Sequence, residues 1–370
     1  MRVGIAGVFH ETNTFASGQT GIEGFQAEWR GERVMPHVEH ISFEQFDPSS
    51  LERGAKRSML LRFDDSETES GVIPVNVVTG TEDGPTLLVL AAVHGDEYEG
   101  VRALIELYRA ISPDDLRGTL ITVPVVNVSS YRSGTRTSGT DGRNLAREFP
   151  GSPTGTYTQK LAHALDCALI ARADFLLDLH SGGSHYAMPL MVGYYENEQS
   201  EIGRKSKAAA EAFGIDVMWG HEEVAPGRTV SAATDRGIPW LYIEGYGGKR
   251  IREQELKHFY EGTLRLLDHL QMLRNPGVWI DCPANPVACR MLGEGDLDQA
   301  PVARHDGFFI PSVRLLDRVS AGQTIGMVYD WFGSPLQEVQ SQQDGYVMML
   351  REVPYTRLGD GLYALAAHKL

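Results

Sequence analysis

The chain has 370 residues, 42% of them hydrophobic, and a formal net charge of -15. That length can bury a large core and invites division into more than one domain, while the acidic balance argues against non-specific binding to nucleic acid or anionic membranes. Three cysteines (Cys167, Cys282 and Cys289) are an odd number without metal-type spacing, so no disulfide framework is expected.

No apolar run is long enough to span a bilayer, and residues 1–6 lack the apolar stretch of a signal peptide, so a soluble, cytoplasmic protein is expected. Residues 30–56 read as a polar connector. From there, apolar and β-branched runs predict strands at 75–78, 86–93, 119–126, 174–179, 188–194 and 239–243, with helices near Tyr98, Thr158, Ser200 and Arg252. This alternation is an α/β pattern.

The first chemical signal stands where the 86–93 run stops and the helical stretch 98–111 begins, at His94-Gly95-Asp96-Glu97. An imidazole and a carboxylate three residues apart on a strand-to-helix turn can grip one ion, since the strand fixes the His and the first helical turn fixes the Glu. Residues 131–151 follow, rich in Gly, Ser, Thr and Arg, and read as a loop. Its four arginines, Arg132, Arg136, Arg143 and Arg147, suit a fork on a substrate carboxylate or the stabilisation of an oxyanion.

At the end of the 174–179 strand, His180 stands before a Gly-Gly turn and supplies a third ligand-type side chain. Functional groups of open α/β sheets gather beyond the carboxyl ends of strands. Two imidazoles and one carboxylate also leave a fourth tetrahedral position for water, which is the catalytic pattern of zinc ligation. Glu244 ends the 239–243 strand in a glycine-rich segment, and a non-ligating carboxylate there suits the base that such a water needs.

Taken in order, HGDE, DGRNLAREFPG, DLHSGG and IEGYGG resemble the succinylglutamate desuccinylase and aspartoacylase family, a branch of the zinc carboxypeptidase clan. The resemblance covers residues 72–273. It implies a mixed-sheet, zinc carboxypeptidase-like α/β catalytic domain binding one Zn2+ through His94, Glu97 and His180. It further implies Glu244 as general base, Arg136 polarising the scissile carbonyl, and Arg147 holding a substrate carboxylate. Ala146 departs from the pattern, standing where the family has a second Asn; Asn144 is the neighbour placed to take over part of that role.

After residue 273, Pro276, Pro283 and Pro286 mark a linker, and strand-like runs at 307–315, 324–329, 345–351 and 362–366 predict a small β domain. Its texture resembles the lipoyl-like barrel sandwich of desuccinylase-family members, but Gln343 precedes Asp344-Gly345 where a carrier would need lysine, so it is expected to act as a lid or wall. Residues 1–25 resemble the opening of microcystinase C-type metallopeptidases, a short stretch that places His10 and Glu11 upstream of every other motif. The expected organisation is an N-terminal extension over 1–56, a catalytic domain over 57–275 and a β domain over 276–370.

The expected activity is zinc-dependent hydrolysis of an amide in an N-acyl amino acid or N-acyl amine. A carboxypeptidase-like peptidase on short peptides, and a non-catalytic metal-binding module recognising acylated metabolites, are the alternatives. The expected partner is a small N-acylated substrate, with no nucleic acid and no membrane; a homo-oligomer stays open.

Overall fold

The computed structural model describes residues 38–64, 71–281, 283–293, 295 and 297–369. Residues 1–37, with His10 and Glu11, and Cys282 lie outside them. In chain order the described residues form β1 (Glu39–Ser42), β2 (Lys56–Arg62), β3 (Val72–Thr79), β4 (Glu82–Ala91), α1 (Glu99–Ala110), β5 (Arg117–Val123), α2 (Val128–Ser133), α3 (Tyr157–Ala168), β6 (Phe175–Ser181), β7 (Tyr186–Ala187), β8 (Met191–Tyr195), α4 (Glu201–Phe213), β9 (Val217–His221), α5 (Thr229–Asp235), β10 (Trp240–Gly245), α6 (Glu253–His269) and α7 (Pro276–Trp279). Then come β11 (Cys289–Leu292), β12 (Gly307–Pro311), β13 (Arg318–Val319), β14 (Thr324–Tyr329), β15 (Pro335–Gln340), β16 (Gly345–Arg351), β17 (Tyr355–Thr356), β18 (Tyr363–Ala366) and β19 (His368–Lys369).

Eleven strands make the central mixed sheet, in the order β1-β2-β3-β5-β4-β6-β10-β8-β9-β11-β19. Its middle, β5-β4-β6-β10, is parallel throughout. Parallel strands covered on both faces become continuous apolar runs, and Leu87 through Val93 is one, with every residue fully buried. Leu88 and Leu90 face a core shared with Leu161 and Leu165 of α3 and Val230 of α5. Leu87 and Val89 face the opposite core, with Leu104 of α1, Phe213 of α4 and Phe259 of α6. The α/β expectation therefore holds, and the helices close both faces of the sheet.

The helices start and stop on local chemistry. The Ser200 hydroxyl accepts the Gly203 amide at the start of α4, and Gly214, at φ 85°, ends it in the left-handed conformation. Thr156 and Gln159 form a reciprocal capping box on α3.

The later strands form two smaller sheets, β15-β14-β12-β17 and β13-β16-β18, around a core of Phe309, Ile325, Val328, Val339 and Val347. Two pairings join the C-terminal chain to the central sheet, and a third joins it to the β6–β8 connection. β11 pairs with β9, β19 pairs with β11, and β16 pairs with β7, Leu350 lying opposite Ala187. Within the described part of the polar connector, β1 runs parallel to β2 with Glu39 beside Met59.

Candidate active site

All three ligand-type residues come from the carboxyl end of the parallel strands. Leu90 pairs with Asp178 and Ala91 with Leu179, so β6 runs two residues past the end of β4, and the chain leaving β4 turns beside it. The chain leaving β4 delivers His94, the turn into α1 delivers Glu97, and β6 carries His180 on its penultimate residue. Ligand atoms of His94, Glu97 and His180 all lie within 4.8 Å of one another. The Gly182-Gly183 turn behind His180 is sterically required: a Cβ on Gly182 would lie 2.2 Å from the Tyr186 carbonyl oxygen, and Gly183 sits at φ 59° against Asp96. Asp96 fixes that turn by accepting the Ser184 amide at 2.8 Å and its hydroxyl at 2.6 Å.

Glu97 is the hub. Its Oε2 accepts His180 Nδ1 at 2.9 Å and the Ser181 amide at 3.2 Å, and its Oε1 lies 3.4 Å from an Arg136 Nη1. The far nitrogen of His180, Nε2, meets Asp178 Oδ2 at 3.0 Å, and the Thr229 hydroxyl donates to the same oxygen. His94 Nδ1 lies 3.2 Å from the Arg136 carbonyl oxygen.

The electrostatics follow from burial. Burial, followed by the Arg136 charge, holds the His94 imidazole well below its ordinary pKa, so it stands neutral. Burial works against protonation of His180 too, but Asp178 and Glu97 on its two nitrogens outweigh it and raise its pKa. Burial also raises Glu97, against the pull of His180. The donor set fits a zinc ion: two imidazoles and one carboxylate, dry and convergent, with a carboxylate orienting one imidazole from behind.

Glu244 sits beside this group because β10 is in parallel register with β6, pairing Glu244 with His180 and Tyr242 with Asp178. Side chains two apart share a face, so Asp178, His180, Tyr242 and Glu244 make one patch on one side of the sheet. Glu244 Oε2 is buried without a hydrogen-bond partner. Burial, with Glu97 nearby and only partly offset by His180, pushes its pKa up to about 8.

A cleft of about 440 Å³ opens over the patch, and His94, Arg136, Arg147, His180 and Glu244 all line it. Ala146 lines it as well, while Arg147 forms an ion pair with Asp298. Asn144 is placed differently: its Oδ1 accepts the Ala146 amide at 3.1 Å and caps the short turn Leu145–Arg147. Arg143 is exposed and paired with Glu148 at 2.7 Å, and Arg132 is exposed. Met349 and Ala364 bring the C-terminal strands into the cleft wall.

Several residues of the cleft had no place in the sequence reading. Asp178 was legible in principle, since alternation puts it on the same face as His180. The His221 and Tyr242 pair was not. His221 Nε2 and the Tyr242 hydroxyl are 2.6 Å apart across the intervening strand β8. The contact exists because Gly193 lies between them: a Cβ there would stand 1.9 Å from the Tyr242 ring. Arg228 lines the same floor, and burial, then the Arg228 charge, lowers the His221 pKa to about 4.

Comparison with known proteins places this geometry among relatives. The family model described as Succinylglutamate desuccinylase/Aspartoacylase catalytic domain matches residues 83–270. An N-alpha-acetyl-L-2,4-diaminobutyric acid deacetylase of Halomonas elongata is 31% identical over 313 residues, 82% of this chain and 88% of the relative. The crystal structure of a succinylglutamate desuccinylase/aspartoacylase from Rhodobacter sphaeroides is similar at a TM-score of 0.74 and 28% identity, over 86% of this chain and 97% of that one. The product-bound Ectoine utilization protein EutE (DoeB) from Ruegeria pomeroyi is similar at 0.74 and 27%, over 85% and 95% of the respective chains.

Proposed function

The chain belongs to the succinylglutamate desuccinylase/aspartoacylase family, and from that premise we propose that it is a zinc-dependent deacylase that hydrolyses the amide bond of an N-acyl amino acid. One observation carries the reading: His94, Glu97 and His180 converge within 4.8 Å, and register sets the unpartnered Glu244 carboxylate beside His180 in the same cleft. A binder has no use for that carboxylate. The Halomonas elongata relative is named for removing an acetyl group from an amino acid, which makes N-acetyl amino acids the first substrates to test.

His94, Glu97 and His180 would hold the ion, with Asp178 fixing the His180 ring through Nε2. When bound there, zinc supplies Lewis acidity that lowers the pKa of a water toward neutral and polarises an acyl carbonyl. Glu244 takes the proton of the attacking water and returns it to the departing nitrogen. Burial lifts its pKa above the ordinary carboxylate range, toward neutral pH, where one group serves both as base and as acid. Arg136 points a guanidinium into the cleft beside Glu97 and stabilises the developing oxyanion. Arg147 holds the substrate carboxylate through its fork, for which Asp298 competes. No helix among the described residues is long and apolar enough to cross a membrane.

A screen of zinc-loaded protein against N-acetyl, N-succinyl and longer N-acyl amino acids, with dipeptides alongside, tests the proposal. Release of free amino acid from the acylated set is expected. Turnover confined to dipeptides would move the assignment to a peptidase.

A further inference from the structure

Six large apolar side chains left exposed by the fold belong to one small sheet. Phe308 and Ile310 lie on β12, Trp331 and Phe332 at the turn between β14 and β15, Leu336 on β15 and Tyr355 on β17. The alternation of β12 explains the face. Phe309 is 1% exposed in the barrel core, which forces its neighbours Phe308 and Ile310 outward, at 41% and 49%. Register then sets Phe308 beside Tyr329 on one side and beside Tyr355 on the other, and Ile310 beside Met327. Trp331 stacks on Tyr355 with ring centroids 5.9 Å apart and planes 19° from parallel.

This face has both a projection and a recess. The recess, about 460 Å³, is lined by Phe308, Ile310, Tyr329, Asp330, Trp331 and Gly333. The projection is Phe332, 93% exposed. It is held out by an ordered turn, in which Asp330 Oδ1 accepts the Phe332 amide at 2.8 Å and the Ser334 amide at 2.7 Å. An ordered aromatic in water is costly to leave uncovered. At roughly 200 Å² per large side chain, the exposed fractions of these residues amount to about 650 Å², just above the largest patches usual on monomers and approaching the ~800 Å² per partner of a stable interface.

The occupant follows from charge and symmetry. Two copies of a chain carrying -15 repel over most of their surfaces, whereas Asp330 is the single charged residue lining this recess. Projection and recess lie side by side, so a two-fold axis between them sets each projection into the other copy's recess, the self-complementary arrangement of an isologous dimer. Pairing through the β15 edge is a poorer solution, because Pro335, with no amide hydrogen to donate, opens that strand; Glu338, the register partner of Met327, lies on the outer face itself and is the one carboxylate of β15 that the association must accommodate. We propose that the outer face of β12, β14, β15 and β17 is a two-fold self-association surface, with Phe332 of each copy seated in the Phe308 and Trp331 recess of the other.

Sedimentation equilibrium of the full chain tests this. A dimer is expected at ~10 µM, with Phe332→Ala weakening it about a hundredfold, since each dimer loses two anchors. Ile310→Glu, made on the recess side, should do the same, and both variants should keep the wild-type circular dichroism because both positions are exposed. A wild type that stays monomeric at ~100 µM, a dimer unaffected by either change, or a monomer that instead co-sediments with phosphatidylcholine vesicles through Trp331 and Phe332 would each overturn the proposal.

Discussion

His180 and Glu244 are register partners on the adjacent parallel strands β6 and β10, so a ligand-type imidazole and an unpartnered carboxylate project side by side into one cleft. Glu244 stands outside the convergent ligand set, and its removal should separate metal binding from chemistry. Glu244→Gln should retain zinc and the fold while losing on the order of a hundredfold or more in turnover, the usual scale for a positioned acid-base group. Metal analysis with steady-state kinetics checks this. Loss of zinc would make Glu244 a ligand, and near-normal turnover would remove it from the mechanism.

Asp178 touches no ligand position of its own, yet it meets His180 Nε2 at 3.0 Å from a fully buried site. Asp178→Asn keeps the shape and removes the charge. Zinc affinity, measured by competition with a chelating dye, should fall about 10- to 100-fold. An unchanged affinity would leave Asp178 as a packing residue only.

His221 gives the fold an acid-sensitive element away from the ligands. Burial, followed by the Arg228 charge, lowers its pKa from 6.5 to about 4. The unfolded chain takes up the proton near 6.5 and the folded chain does not, so His221 makes the fold progressively less stable as pH falls from about 6.5 toward 4. Above that window it has no effect. Urea midpoints at about pH 7.5 and about pH 5 should therefore differ more in the wild type than in His221→Gln. Equal pH dependence in the two proteins would show that His221 is not the group responsible.

Arg147 is engaged by Asp298, a carboxylate from the C-terminal segment. If the same fork reads the substrate, Arg147→Lys should cost more for carboxylate-bearing substrates than for neutral N-acyl amines, because a point charge cannot make two parallel hydrogen bonds. Asp298→Ala should lower KM for the charged substrates by removing the competitor. Ala146→Asn, which adds a polar group to the cleft wall, should favour N-acyl amino acids over uncharged amides. Equal effects on charged and neutral substrates would mean that this loop does not read a carboxylate.

The parallel centre of the sheet was legible because strands covered on both faces must be apolar where they are covered, and residues 87–91 of β4 and 175–177 of β6 are. The three convergent ligand-type residues were legible as candidates because they sit where such runs stop. What escaped is what local sequence encodes weakly. In α5 the run Thr229–Asp235 is mostly Thr, Ser and Ala and holds its place by packing on β6 and β10, since Ser and Thr favour helix little. The short α2 runs into the start of what read as loop over 131–151, and is started by Asn127, whose side chain accepts the Ser130 amide. β2 opens Lys56-Arg57-Ser58, an exposed polar start that hides a seven-residue strand. The Tyr242 to His221 contact depends on the absence of a side chain at Gly193, a tertiary fact with no local signature. Asn144 was read from residue type alone, and its Oδ1 also serves a local purpose that only the fold reveals, capping the turn Leu145–Arg147.

The most direct test of the central claim is acetate release from N-acetyl amino acids, N-α-acetyl-2,4-diaminobutyrate first, by protein assayed as purified, after chelation and after zinc is returned. Turnover with about one zinc per chain, lost on chelation and restored by zinc, is the predicted result. Hydrolysis that continues undiminished in metal-free protein would contradict the assignment of His94, Glu97 and His180, and with it the proposed chemistry.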